Sequence, residues 1–178
     1  ARGGFYHAGQ VCVSVQRIYL SKNVSDSFID KFKEEVKKVY LGDPMDKKTV
    51  VGPLIRNTEV KRVDQWVSES LENGSKLILG GKVLSECTYD KTIILNPKKE
   101  DKISQFEIFG PVVTINEYDD LDGMIIYSNI NKKLNKVKVF IKKRENSSFP
   151  CSVYNLEDDA TSKIVYLEPL KIDEEIKA

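Results

Sequence analysis

Phe5-Tyr6-His7-Ala8-Gly9-Gln10-Val11-Cys12 is the stretch on which the reading of this 178-residue chain turns. It sets a cysteine just after a Gly-Gln pair, at the head of an apolar segment with few charges. By composition alone a small buried hydrophobe is the better reading of such a cysteine. Only the residues around it bear on the other reading, a nucleophile. Ala8 and Gly9 are small enough to let backbone and substrate come close.

Working outward, the composition bounds what the chain can be. Its length suffices for one domain with a proper core. A net charge of +1 gives no electrostatic case for nucleic acid or an anionic membrane as partner. The apolar runs, such as Thr92 to Leu95 and Pro111 to Ile115, are too short to span a bilayer. The first residues lack the pattern of a signal peptide. Cys12, Cys87 and Cys151 are widely spaced, no CxxC pair occurs, and His7 is the sole histidine. That excludes an ordinary zinc site and argues for free thiols in a reducing, cytoplasmic setting.

Periodicity predicts a helix over residues 23–40, with Val24, Phe28, Ile29, Phe32, Val36 and Val39 on its apolar side. Asn23 or Ser25 is expected to cap it, with Asp26 near its positive end, and Gly42-Asp43-Pro44 to stop it. A second helix is predicted from Thr58 to Glu72, with Val60, Val63, Val67 and Leu71 as its stripe and Trp66 on the flank. Asn73-Gly74 ends it as a C-cap. Strands are predicted at Arg17 to Ser21, Lys76 to Leu79, Thr92 to Leu95 and Val112 to Asn116. Strands alternating with amphipathic helices indicate an α/β domain with a largely parallel sheet flanked by helices. In the lysine- and asparagine-rich stretch from Asn131 to Arg144, Val137, Val139 and Ile141 alternate with Lys138, Phe140 and Lys142, the pattern of an edge strand with a basic face. Acidic residues return beyond Glu157, and Asp173-Glu174-Glu175 closes a frayed end.

The cysteine stretch resembles the active-site signature of the NAD(P)-dependent aldehyde dehydrogenase superfamily. A second segment, Phe106-Glu107-Ile108-Phe109-Gly110-Pro111-Val112, is similar to that family's Glu-x-Phe-Gly-Pro-Val motif and lies about ninety-five residues further on, as the family expects. Gly42-Asp43-Pro44, Val51-Gly52-Pro53-Leu54-Ile55, Gly74 through Gly81 and Leu95-Asn96-Pro97 also look like landmarks of its catalytic domain. The wording of residues 3–17 is closest to bacterial and archaeal members that act on small aldehydes such as lactaldehyde or semialdehydes.

The resemblance implies that Cys12 is the catalytic nucleophile. Its thiolate would add to an aldehyde carbonyl, and loss of a hydride to a nicotinamide ring would leave a thioester that water hydrolyses. The backbone N–H of Cys12 would steady the developing oxyanion. It implies that Glu107 accepts from the hydroxyls of the nicotinamide-side ribose of NAD or NADP, and that Phe109 packs beside the ring. It also implies a homo-oligomer in the full-length family. His7, five positions before Cys12, is read as a packing or hydrogen-bonding residue rather than a base. Cys87 and Cys151 have no partner pattern.

The resemblance covers residues 1–129, read as the core of the catalytic domain, and fades over 130–178, read as a divergent, partly disordered tail of the same domain. Val139-Phe140 and Val153-Tyr154-Asn155 are similar to the family's later strands. Leu167-Glu168-Pro169-Leu170 stands where the family carries a Pro-Phe-Gly-Gly loop, and Phe106 stands where it often has a second acid. The family's Rossmann-type cofactor domain, general-base glutamate and side-chain oxyanion donor precede the cysteine, and no Gly-x-Gly-x-x-Gly occurs here. The expectation is therefore a catalytic domain as a fragment or truncated form that alone binds NAD weakly, if at all, and turns over negligibly. The face toward the absent domain is expected to be exposed and partly apolar. Two alternatives stand beside it: an inactive paralogue serving as an interaction module, and a cofactor-independent thiol esterase working through Cys12.

Overall fold

A computed structural model describes residues 1–119 and three strands beyond them, at 139–142, 152–155 and 164–167. A short helix α1 (Arg2–Phe5) and a tight 3-10 turn (Tyr6–Gly9) lead into strand β1 (Arg17–Ser21) and helix α2 (Lys22–Lys38). Helix α3 (Asn57–Glu72) is followed by β2 (Lys76–Leu79), the hairpin β3 (Val83–Ser85) and β4 (Thr88–Tyr89), and β5 (Thr92–Leu95). A single turn, α4 (Lys102–Gln105), precedes β6 (Val112–Tyr118). Then come β7 (Val139–Lys142), β8 (Ser152–Asn155) and β9 (Ile164–Leu167).

The main sheet has the order β2-β5-β6-β1-β9. Strands β5, β6, β1 and β9 run parallel, and β2 is antiparallel at one edge. The α/β architecture with a largely parallel sheet is as the periodicity predicts. Every residue from Arg17 to Leu20, from Thr92 to Ile94 and from Val112 to Ile115 is buried. Continuous burial, rather than alternation, marks strands covered on both faces. One apolar cluster joins Ile18, Leu20, Ile93, Ile94, Val113 and Ile115 of the sheet to Phe32 and Val36 of α2 and Val60, Val63 and Val67 of α3.

The first helix departs from its predicted bounds at both ends. It begins at Lys22 behind Ser21, whose side chain makes no capping bond, and Asn23 and Ser25 lie inside it. The reason is that β1 runs straight into α2: Ser21 is still paired with Tyr118 in the sheet, so no linker is left in which a polar cap can form. At the other end the helix stops at Lys38, ahead of Gly42. The Lys91 ammonium donates to the carbonyls of Val36 (3.2 Å) and of the C-cap residue Val39 (2.6 Å), placing a cation at the helix's carboxyl end. The chain then turns extended, and Leu41 bridges Val51.

Helix α3 closes as Asn73-Gly74 predicts. Ser75 N–H donates to the Ser70 carbonyl (3.1 Å) and Gly74 N–H to that of Leu71 (3.0 Å), the double bond of a Schellman end, with Gly74 at φ 101°. Strand β6 runs two residues past the predicted Asn116, because Glu117 and Tyr118 still face Leu20 and Ser21. Strand β7 pairs with β8 in a separate antiparallel ribbon, and β9 lies beside β1. The 129/130 boundary and the remainder of the tail, with Cys151 and residues 168–170, lie outside the described residues.

Candidate active site

Two loops make the site, and sheet topology brings them together. Cys12 lies in the turn that feeds β1, and Glu107 to Gly110 lie in the turn that feeds β6. Strands β1 and β6 are parallel neighbours, with Arg17 opposite Thr114. Both loops therefore emerge at the amino-terminal end of adjacent strands. At Gly9 and Gly110 the backbones touch: a Cβ built on Gly9 would collide with the Gly110 carbonyl oxygen. Glycine is required at Gly9 twice over, by that approach and by a φ of 69°.

His7, Ala8 and Gly9 form a run of left-handed residues, at φ 48°, 56° and 69°. Non-glycine residues pay roughly 1–2 kcal/mol each for that conformation, so neighbouring contacts must hold the run in place. Gln10 supplies one anchor. Its amide donates to the Pro53 carbonyl (3.1 Å) and accepts from the Ile55 N–H (3.0 Å), tying the cysteine loop to residues 53–55. Ser14 Oγ donates to the Gly4 carbonyl (3.2 Å) and Val15 N–H to that of Gly3 (3.0 Å), fixing the loop on the far side of the cysteine. The His7 side chain is exposed and lies against Tyr6, with ring centroids 3.9 Å apart. What His7 gives the loop is its left-handed backbone and a carbonyl that accepts from Gln10 N–H at 3.1 Å.

Between these anchors Cys12 is exposed and its thiol is free. The turn closes with Ser14 N–H donating to the Val11 carbonyl (3.0 Å). Among the described residues nothing accepts a hydrogen bond from the Cys12 N–H. Cys87 is half-buried in the turn between β3 and β4, where its carbonyl accepts from Leu54 N–H at 2.6 Å.

The second loop is gripped by side chains from three directions. Arg17 donates to the Phe106 carbonyl (2.8 Å). Gln16 accepts from the Ile108 N–H (2.7 Å) and its amide reaches Glu107 Oε1 (3.4 Å). Arg62 donates to the Ile108 carbonyl (2.7 Å). Within this grip Phe109 sits in a left-handed turn at φ 47° and is 42% exposed, and Glu107 is exposed. Phe106, 54% exposed, tilts against Trp66 at 5.9 Å between centroids. Arg62 carries this architecture without having stood out in the sequence; Gln10 belongs to the Gly-Gln pair of the cysteine motif and Gln16 and Arg17 sit at its end, but their partners, at residues 53–55 and nearly a hundred residues away, are not legible there.

Several large apolar side chains are exposed around Cys12 and on the second loop. Tyr6 and Val13 beside the cysteine, Ile55 on the Gln10 anchor, and Phe106 and Phe109 on the second loop are all exposed, Ile55 to 82%. Among the described residues no group of three metal-ligating side chains occurs, and no helix is long and apolar enough to cross a membrane.

Residues 1–147 match the aldehyde dehydrogenase family. The chain is 46% identical over 121 residues to 3-sulfolactaldehyde dehydrogenase of Priestia aryabhattai, which covers 68% of this chain and 25% of that protein. It is 35% identical over 127 residues to lactaldehyde dehydrogenase of Methanococcus aeolicus, covering 71% of this chain and 27% of that one. Among solved structures, aldehyde dehydrogenase 21 of Physcomitrella patens, in complex with the reaction product succinate, superposes with a TM-score of 0.68 at 34% identity. That match covers 72% of this chain and 26% of that one. The chain spans about a quarter of the length of the curated relatives it matches.

Proposed function

Because this chain belongs to the aldehyde dehydrogenase family, we propose that it carries the catalytic cysteine and the nicotinamide-side grip of an enzyme that oxidises a small aldehyde to a carboxylic acid with NAD or NADP. The observation that carries the reading is the backbone contact of Gly9 with Gly110. It joins the cysteine loop to the Glu107–Phe109 loop, so an exposed thiol and an exposed carboxylate-plus-aromatic pair stand on two touching loops.

The residues present fit a nicotinamide nucleotide. An exposed carboxylate oriented by Gln16 can accept from two vicinal ribose hydroxyls. An exposed phenylalanine ring, held still by a constrained turn, offers a flat apolar face to a heterocycle. When bound, the nucleotide supplies a hydride acceptor. Glu107 and Phe109 would hold that end of it close to the cysteine loop.

Cys12 would attack the aldehyde carbonyl carbon as a thiolate, forming the carbon–sulfur bond of a tetrahedral thiohemiacetal. The oxyanion so formed can accept from the unclaimed Cys12 N–H, which the Ser14–Val11 turn holds in a fixed direction. After oxidation the acyl group rests on Cys12 as a thioester, and water releases the acid. The general base and the larger part of the dinucleotide site are expected from residues beyond these loops. Small aldehydes of the lactaldehyde and semialdehyde kind are the substrates the similarity favours, and assembly as a homo-oligomer belongs to the same reading.

Iodoacetamide labelling with peptide mass mapping tests it. Cys12 should alkylate faster than half-buried Cys87, and millimolar NAD should slow the labelling of Cys12 alone. Glu107→Gln should remove the protection. Equal labelling of both thiols, or protection that survives Glu107→Gln, would count against the assignment.

A further inference from the structure

The loop that bears Glu107 and Phe109 has an unusual support. Ile108, between them, is fully buried, yet neither of its backbone polar groups is satisfied by the sheet. Its N–H donates to the Gln16 side chain (2.7 Å) and its carbonyl accepts from the Arg62 guanidinium (2.7 Å). The Ile108 carbonyl belongs to the peptide plane that leads into Phe109. Rotation of that plane changes φ of Phe109, so a bond that fixes the carbonyl fixes the left-handed turn on which the ring is presented.

Arg62 is itself held on two sides. Its Nε donates to Glu59 Oε2 (2.9 Å) one turn earlier on α3. Its guanidinium carbon lies 4.5 Å from the Trp66 ring centroid, in cation–π range one turn later. Trp66 in turn meets Phe106, the first residue of the loop. The planar fork of arginine suits this double duty, since one edge can face the carboxylate while another donor reaches the carbonyl.

From this geometry we infer that Arg62 is the positioning residue of the nicotinamide-gripping loop: helix α3 sets the pose of Phe109, and with it the affinity for the nucleotide, through the Ile108 carbonyl. The inference rests on reading Glu107 and Phe109 as that grip. Arg62 makes no claim on substrate or on Cys12. Without it a buried carbonyl loses its partner and the turn relaxes, leaving Glu107 and Phe109 present but misdirected.

The test uses the 178-residue chain with Arg62→Gln and Arg62→Lys, and two readouts. Amide hydrogen exchange should rise about tenfold or more at Phe109 and Gly110 in Arg62→Gln, with β2 unchanged. NAD affinity, followed by quenching of Trp66, should fall about tenfold in Arg62→Gln and recover only in part in Arg62→Lys, which keeps the charge and loses the fork. Unchanged exchange at the loop together with unchanged NAD affinity overturns the inference. If Arg62→Gln fails to fold, Glu59→Ala, which removes the carboxylate that holds the guanidinium (and the longer contact to Arg56), must give the same pattern in smaller measure; no change there also overturns it. If the wild-type chain shows no NAD-dependent quenching, because these loops grip only one end of the dinucleotide, the exchange comparison alone decides whether Arg62 holds the turn.

Discussion

Gly9 and Gly110 meet backbone against backbone, with no room for a Cβ between them. Each belongs to a different loop, separated by most of the described chain, and each loop feeds one of two adjacent parallel strands. The contact is therefore the seam of the site. Ligand sites of open α/β sheets usually lie beyond the carboxyl ends of the strands; these loops lie at the amino ends of β1 and β6, and their seam brings them together there.

Gly9→Ala should open this seam. It adds a collision with Gly110 to the conformational cost of a φ of 69°. Gly74→Ala is the matched control, because Gly74 is also left-handed, at φ 101°, with nothing within 4 Å of its Cβ position. Urea unfolding should show Gly74→Ala costing about 1 kcal/mol and Gly9→Ala costing roughly 2–4 kcal/mol. Equal losses would mean the seam yields without strain.

Asp101 should be the most costly polar side chain to remove. It is buried, and its carboxylate accepts from Ser70 Oγ (2.8 Å), Asn73 Nδ2 (2.7 Å) and Lys98 N–H (2.9 Å), tying the end of α3 to the start of α4. Asp101→Ala leaves those donors without their acceptor and should cost about 2–4 kcal/mol. An unfolding midpoint that stays in place would show that water replaces the carboxylate at no loss.

Acid should loosen the support of the second loop before the fold is lost. Its hydrogen bond from Arg62 holds the Glu59 carboxyl below its ordinary 4.5, with Arg56 adding to the effect. A depressed carboxylate contributes its stabilisation above the unfolded value and loses it as pH falls through the folded one. Trp66, the single tryptophan, lies under Arg62. Its emission should be flat from neutral pH to about 4.5 and change below that, and Glu59→Gln should abolish the acid step. A step that survives Glu59→Gln would point to another group.

Much of the fold is legible in the sequence because its signals are local. The bounds of β1, β2 and β5 follow from short apolar runs closed by turn residues, and the end of α3 follows from Asn73-Gly74. The start of α2 is not legible, because Ser21 is held by sheet pairing rather than by a capping side chain. The β3–β4 hairpin escapes notice because β3 is wholly exposed and lacks alternation. At the site, the cysteine and the Glu-x-Phe-Gly-Pro segment can be read as motifs, and their resemblance to a family carries the chemistry. The side chains that pose them cannot. Gln10 reaches Pro53, Gln16 reaches Ile108 and Arg62 reaches the same residue from the other side. Gln10 is legible as part of the cysteine motif but its partner is not, and Gln16 and Arg62 are ordinary polar residues until the fold supplies theirs.

Aldehyde oxidation through Cys12 is expected to leave the acyl group on its sulfur. The most direct measurement is acid-quenched peptide mass spectrometry of the Cys12-bearing polypeptide from its native source, after incubation with a small aldehyde and NAD or NADP. An acyl adduct is expected on the Cys12 peptide, two hydrogens lighter than the aldehyde added, forming only when both reactants are present. Aldehyde oxidation that proceeds with no adduct on Cys12, and at an undiminished rate in Cys12→Ala, would contradict that expectation.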